Sequence, residues 1–554
     1  MTPQPAISDA LRRAIAAAEA GRFGEAGARC LQILAANPQD AGALGLQGAM
    51  AAQRGDLMVA IARYRAALTV APRFVKALSN LGAVLSALGE TAEAERLLTA
   101  ALEEEPHHGA SLINLGQLLL TQQRNAEAIV ALRRATAATP NDAMAWNNLG
   151  GAYLAAEQPD AAVEALQRAL ALDSAVVAAW SNLGAAHYRS GRYAAAVEAF
   201  RAALARAATP ELWTHLGAAL RGIGDEAGAL AAHERALAGN PDLAEARFNR
   251  ALLLLGLGRF AEGWADYRAR VSGRAFRRCQ ATTDTPRLPL DMSGRRLRLE
   301  SNQGFGDELF FLRFAPALKR RGAAIVYRAA AKVAALVHPL AILDEVVVGE
   351  DGAPADVTLL VDDLPYALAA TDTPPALPLT PDPQVQAALR ARLAQLGPPP
   401  YLGVTWRGGV DKSGSLFKRA PREALARLAG EWPGTVLMLQ RQPLAGELEA
   451  LIAEAGRIAH DFAALHDDLG DMLALLSLLD DYVAVSNTNV HLRQSLGLPS
   501  RVLVPMPPDW RWMAAGDASP WFPGCAIYRQ AADGSWNEAF ARLTRDVAAA
   551  RMAG

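Results

Sequence analysis

The stretch "SNLGAVLSALGETAEAERLLTAALEEEP", Ser79–Pro106, carries Gly82 and Ala94 inside helix-forming runs and ends on a proline. Glycine in a helix interior costs backbone entropy, so a glycine that recurs there needs a reason. The pattern returns every 34 residues: Pro38, Pro72, Pro106 and Pro140; Gly48, Gly82, Gly116, Gly150 and Gly184; Ala60, Ala94, Ala128, Ala162 and Ala196. With one residue deleted, the register continues at Gly217 and Ala229, and a degenerate copy starts at Phe248. Such a period accommodates two helices and a turn, with small residues where the helices cross closely and proline at the turn. About eight helix pairs are expected over residues 7–272.

These residues match the tetratricopeptide pattern, which predicts an all-α superhelix. Within it "SNLG", "INLG", "NNLG" and "SNLG" place Asn80, Asn114, Asn148 and Asn182 at one position of successive first helices. A carboxamide offers one acceptor and two donors, so a row of them can grip the main chain of an extended peptide. The row resembles the asparagine ladder of O-GlcNAc transferases, which join such repeats to a glycosyltransferase. The plain alternative is an amide that serves helix packing, and Leu46 and His215 interrupt the row at its ends. Trp146, Trp180 and Trp213 follow the same period and are expected in the core.

The chain of 554 residues is 51% hydrophobic and 20% charged, which describes packed domains rather than a disordered polymer. No apolar run reaches membrane-spanning length. The first residues lack a basic segment before an apolar one, so no secretory signal is expected and the cytoplasm is the default location. Cys30, Cys279 and Cys525 are odd in number, widely spaced and without metal-ligand spacing, as reduced thiols would be. A net charge of -2 provides no general field for nucleic acid. An anionic ligand must be met locally.

After Val271 the period stops, and a proline- and threonine-rich linker is expected over 273–294. Short apolar strands then alternate with helices over 295–380 and again over 381–554, which predicts two parallel α/β sheets with a cleft between them. In the first, "LESNQGFGDELFF", Leu299–Phe311, turns from a strand through Gly304 and Gly306 to Asp307 and Glu308, with a helix expected over Glu308–Arg320. A Gly-x-Gly turn commonly cradles phosphate. In the second, "YVAVSNTNVHLRQSLG" ends a strand at Ser486 and starts a helix near Thr488 or Asn489, where unpaired amides and the helix dipole favour a diphosphate; Ser486 and Thr488 could equally be helix caps. Lys412, Lys418 and Arg419 follow the strand at 401 and could supply positive charge.

The segments "NQGFGDELFFLRFAPALKRRGA", "VTWRGG", "SNTNVHLRQSLG", "PPDWRWM" and "SPWFPG" resemble those of heptosyltransferase-like glycosyltransferases, in the bacterial branch fused to tetratricopeptide repeats. The resemblance covers nearly the whole chain and implies a GT-B type pair of α/β Rossmann-like domains. Residues 295–380 would face the acceptor and 381–554 would bind the donor. It brings Asp307 to the acceptor as general base, beside Gly304 and Gly306. The donor side would use Trp406, Arg407, Lys418, Arg419, Ser486, Asn487, Thr488, Asn489 and His491. That family commonly carries an acid before the last helix start, where this chain has Ser486-Asn487. Trp510, Arg511 and Trp512 match a further signature, and a structural role is expected for them.

The implied function is O-glycosylation of Ser or Thr on a protein captured by the repeats, with a nucleotide-sugar as co-substrate and no other cofactor. Flagellin is the narrower acceptor, with nonulosonic acid donors. No Asp-x-Asp occurs, so a metal-held diphosphate is not indicated. Asp307 would take the hydroxyl proton as that oxygen attacks the sugar, while a capping residue is the plain alternative. The rival readings are a binding scaffold with an inactive transferase domain and a lipopolysaccharide-type sugar transferase. Self-association of the array is left open.

Overall fold

Each periodic glycine faces a bulky residue sixteen positions later. A Cβ added to Gly82 would stand 2.8 Å from Leu98 Cγ, on Gly116 2.5 Å from Leu132 Cγ, and on Gly150 2.5 Å from Leu166 Cγ. The paired helices therefore cross at a separation that no side chain larger than hydrogen permits. The periodic alanines Ala60, Ala94, Ala128, Ala162, Ala196 and Ala229 are fully buried at the same crossings. The computed structural model describes residues 8–270, 286–301, 304–349, 354–408 and 418–553. Among them, sixteen α-helices run in consecutive pairs from Asp9–Glu19 to Phe260–Tyr267, followed by two parallel sheets.

The chain divides into two compact units, Met1–Ala208 and Thr209–Gly554. This division falls before the last two helix pairs rather than at the linker expected over 273–294, of which residues 273–285 lie outside the described residues. In the second unit the physical cause is a shared core. Trp264 is 2% exposed and meets the rings of Trp510 at 5.3 Å, Trp521 at 6.1 Å and Phe311 at 6.2 Å between centroids. Arg270 closes the junction through buried ion pairs of 2.6 Å to Asp362 and 2.7 Å to Asp363.

The first sheet holds β1 (Arg296–Glu300), β2 (Ala324–Arg328), β3 (Glu345–Val347) and β4 (Val357–Leu360) in the order β3-β2-β1-β4. The second holds β5 (Tyr401–Thr405), β6 (Thr435–Met438), β7 (Ala459–Asp461), β8 (Asp481–Val485), β9 (Arg501–Val504) and β10 (Ala526–Arg529) in the order β10-β9-β8-β5-β6-β7. All neighbours pair parallel. The expected helix over Glu308–Arg320 starts earlier and breaks into Phe305–Leu312 and Ala315–Arg320. Pro316 explains the break, because its ring would clash with the preceding turn of a continuous helix. Strand β7 is an Ala-His-Asp tripeptide with no strand-like run of apolar residues.

Two repeat positions depart from expectation. Trp146 and Trp180 are half-buried, and their indole N–H groups donate to Pro140 O at 3.0 Å and Ser174 O at 2.9 Å, so they brace the inter-repeat turns instead of filling the core. Trp213, also half-buried, lies under the Arg235 guanidinium. His233 stands where other repeats place Leu98, Leu132 or Leu166, fully buried against Gly217, with neither ring nitrogen hydrogen-bonded among the described residues.

Gly150→Ala should lower stability by about 1–3 kcal/mol through overpacking. In a double-mutant cycle with Leu166→Ala, the two losses should sum to more than the loss of the double variant, because each relieves the other. Burial, with the charges of Arg221 and Arg250 adding to it, pushes the His233 imidazole down to about 4. The unfolded chain, titrating near 6.5, takes up the proton first, so stability should fall as pH drops from about 6.5 to about 4. His233→Leu should flatten that dependence and raise stability at pH 7 by about 1 kcal/mol or more, read from denaturant midpoints.

Candidate functional site

Strand order reverses between β1 and β4 in the first sheet and between β5 and β8 in the second. In open parallel sheets, ligands bind outside the carboxyl ends of the strands at such points. The segments leaving β1, β5 and β8 contain most of the site residues singled out from the sequence.

After β1, Gly304 is the N-cap of the Phe305–Leu312 helix through its backbone, its carbonyl accepting from Asp307 N at 2.9 Å and Glu308 N at 3.0 Å. Asp307 is therefore inside the first turn and is not the capping residue. Its carboxylate instead forms an ion pair with Arg511, from the far end of the chain. Its neighbour Glu308 is buried and accepts a 2.6 Å hydrogen bond from the Tyr327 hydroxyl, and burial pushes its carboxyl above the usual range. A Cβ on Gly306 would lie 3.2 Å from His491 and 3.4 Å from Thr488 Oγ1. Gly306 thus serves a close approach between the helix after β1 and the Thr488–Ser495 helix after β8.

At that second helix Asn487 is the N-cap, its side chain accepting from Val490 N at 3.2 Å and its NH2 donating to the Tyr482 hydroxyl at 3.1 Å. Thr488 and Asn489 occupy the first two helical positions, whose amides have no intrahelical acceptor. Ser486 is buried, with its carbonyl against Gly408, and Asn489 is buried beside the Tyr482 phenol. His491 is buried with Nδ1 unpaired. Burial first, then the charges of Arg511, Arg313 and Lys418, holds its imidazole neutral, far below its ordinary value.

The residues after β5 divide into two groups. Trp406 Nε1 donates to Glu447 at 3.3 Å, and Arg407 pairs with Glu447 at 3.0 Å and with Gln442 O at 3.2 Å. Glu447 thus holds both side chains against this loop, and Arg407 Nε is buried without a hydrogen-bond partner among the described residues. Arg419 is exposed and forms a backbone bridge with Arg407. Lys418 extends to Asp509, 2.9 Å away, and Asp509 in turn lies 3.2 Å from Arg511. Lys412 lies outside the described residues.

The result is a chain of charges, Lys418–Asp509–Arg511–Asp307, that joins both sheets. Burial opposes ionisation of Asp509, but the charges of Lys418 and Arg511 outweigh it and hold its carboxyl far below the usual range. The Arg511 guanidinium lies 4.6 Å from the Trp510 ring centroid and 4.7 Å from that of Phe310. Asp509 and the ion-pairing role of Arg511 were missed in the sequence; the nearest signal was an arginine flanked by two tryptophans, with an acid two residues earlier.

In the first unit, Asn80, Asn114, Asn148 and Asn182 are half-buried. Asn114 Nδ2 donates to Ser79 Oγ at 3.3 Å, Asn182 Nδ2 to Asn147 Oδ1 at 3.0 Å, and Asn148 Oδ1 accepts from Asn147 at 3.4 Å. Asn80 engages the Tyr64 phenol. The row therefore ties repeat to repeat, and the carboxamide oxygens of Asn114 and Asn182 stay outside these bonds.

Sequence profiles of the tetratricopeptide repeat match residues 85–149 and 147–211. The chain is 28% identical over 432 residues to protein FlbA of Caulobacter vibrioides, covering 62% of this chain and 69% of FlbA. Among solved structures, Pseudomonas aeruginosa PilF is similar at 21% identity and a TM-score of 0.35, over 38% of this chain and 96% of that one. MamA is similar at 26% identity and a TM-score of 0.27, over 29% and 93%. YrrB, described as a tetratricopeptide-repeat protein with an unusual peptide-binding site, is similar at 21% identity and a TM-score of 0.29, over 33% and 95%. Repeats of this kind suggest a protein partner. Among the described residues no helix is long and apolar enough to cross a membrane.

Arg511→Met removes one of the two cations that offset buried Asp509 and should lower stability by about 3 kcal/mol. Asp307→Asn, at the more exposed end, should cost less than about 1 kcal/mol. Chemical denaturation of both variants checks the contrast.

Proposed function

We propose that the chain is a glycosyltransferase that moves a sugar from a nucleotide-sugar to a Ser or Thr hydroxyl of a protein held by its repeats. The reading is carried by one observation: an accessible carboxylate on the first sheet meets a helix start flanked by cations on the second, each at the carboxyl ends of parallel strands. In this reading the two sheets are the acceptor and donor halves of a GT-B transferase. Asp307 accepts the proton of the attacking hydroxyl. The first-turn amides of Thr488 and Asn489, with Lys418, receive the donor's diphosphate. Flagellin as the acceptor rests on the family resemblance alone.

The test uses full-length protein, a panel of labelled nucleotide-sugars and lysate of the native cell as acceptor source. Label should pass to protein, and Asp307→Asn should cut turnover by about 100-fold or more while leaving the melting temperature close to wild type. Lys418→Glu should weaken nucleotide binding by about 2 kcal/mol. Absence of transfer from every donor would leave the scaffold reading, which the Ser486-Asn487 departure favours.

A further inference from the structure

We infer that Arg511 is a phosphate-binding residue held in reserve by Asp307, so that donor binding and release of the catalytic carboxylate are one event. This rests on the transferase reading above. In the chain Lys418–Asp509–Arg511–Asp307, two cations face two carboxylates, and the carboxylates differ in how firmly they are held. The Asp509 side chain is 8% exposed, touches both cations and also accepts from Arg511 N at 3.1 Å. It is a fixed counter-ion. The Asp307 side chain is 36% exposed and, among the described residues, pairs through one oxygen with the outer Nη2 of the guanidinium. It is the partner that can leave.

Arg511 itself cannot follow. Its guanidinium is confined by the rings of Trp510 and Phe310, and its Nε, buried, has no acceptor among the described residues. A guanidinium is a rigid fork of donors suited to bidentate recognition of phosphate as well as carboxylate. The helix start that would receive a diphosphate lies next to the pair, since Gly306, adjacent to Asp307, abuts Thr488 and His491. Neutral His491 adds no cation to compete with Arg511. An anion seated there competes with Asp307 for Arg511. Once displaced, Asp307 loses the contact that occupies its oxygen and can accept a hydroxyl proton. Without a donor the carboxylate stays tied down, which keeps the acceptor hydroxyl from being activated before there is a sugar to attack.

The signature is an affinity gained by removing a charge, which damage to the fold does not produce. Inorganic pyrophosphate is titrated into full-length wild type and variants by calorimetry at low salt. Asp307→Asn and, separately, Asp307→Ala should bind pyrophosphate about tenfold more tightly than wild type, and Arg511→Lys, which keeps the charge but loses the fork, about tenfold more weakly. Lys418→Met should also weaken binding. If Lys418→Met and Arg511→Lys weaken binding while both Asp307 variants match wild type or bind worse, the coupling is overturned and the donor placement stands. If Lys418→Met leaves binding unchanged, the donor placement fails as well. Pyrophosphate binding by neither wild type nor Asp307→Asn overturns both.

Discussion

Where helices of this chain cross closely, a glycine removes the Cβ that would stand between them. Gly82, Gly116 and Gly150 do this for successive repeats, each admitting a leucine from the partner helix to within about the distance a methyl group would need. Gly306 does it once more between the helices that follow β1 and β8. In the array the result is a regular stack of helix pairs. At the site it sets the turn that carries Asp307 against the start of the Thr488–Ser495 helix. The constraint is steric and short-range, so it tolerates wide variation elsewhere on the same helices.

The second organising feature is electrostatic. Charges at the carboxyl ends of the two sheets neutralise one another in a single chain, with buried Arg511 held between aromatic rings and half-buried Asp307 at its end. Pairs of this kind contribute little net stability, because desolvation offsets their attraction. Arg511 Nε, within that chain, and His491 Nδ1, buried beside it, have no hydrogen-bond partner among the described residues. The last helix pair of the array enters the same core through Trp264 and Tyr267, so the terminal repeats are structural parts of the second unit.

The asparagine row shows how one residue pattern can hold two readings at once. Its carboxamides bond from repeat to repeat at Ser79 and Asn147, which is a packing role, while unspent carbonyl oxygens keep acceptor capacity. His233 shows the reverse case, a polar residue at a packing position with no partner for either nitrogen.

By itself the sequence determined the repeat, its period of 34, the change to alternating strands and helices, and the helix start after Val485. These are local signals: glycine, alanine and proline recurring every 34 residues, an apolar strand ended by polar residues, a polar turn followed by a helix. It also singled out Asp307, because the glycines around it mark a turn between strand and helix. Tertiary structure alone decided what Asp307 touches. Its partner Arg511 lies 204 residues away, and no periodicity or spacing connects the two. The same holds for Arg407 and its partner Glu447, which come from different segments of the chain. Short-range patterns record how a segment folds; the pairing of charges depends on which loops two sheets bring to one opening, and only the packed chain settles that.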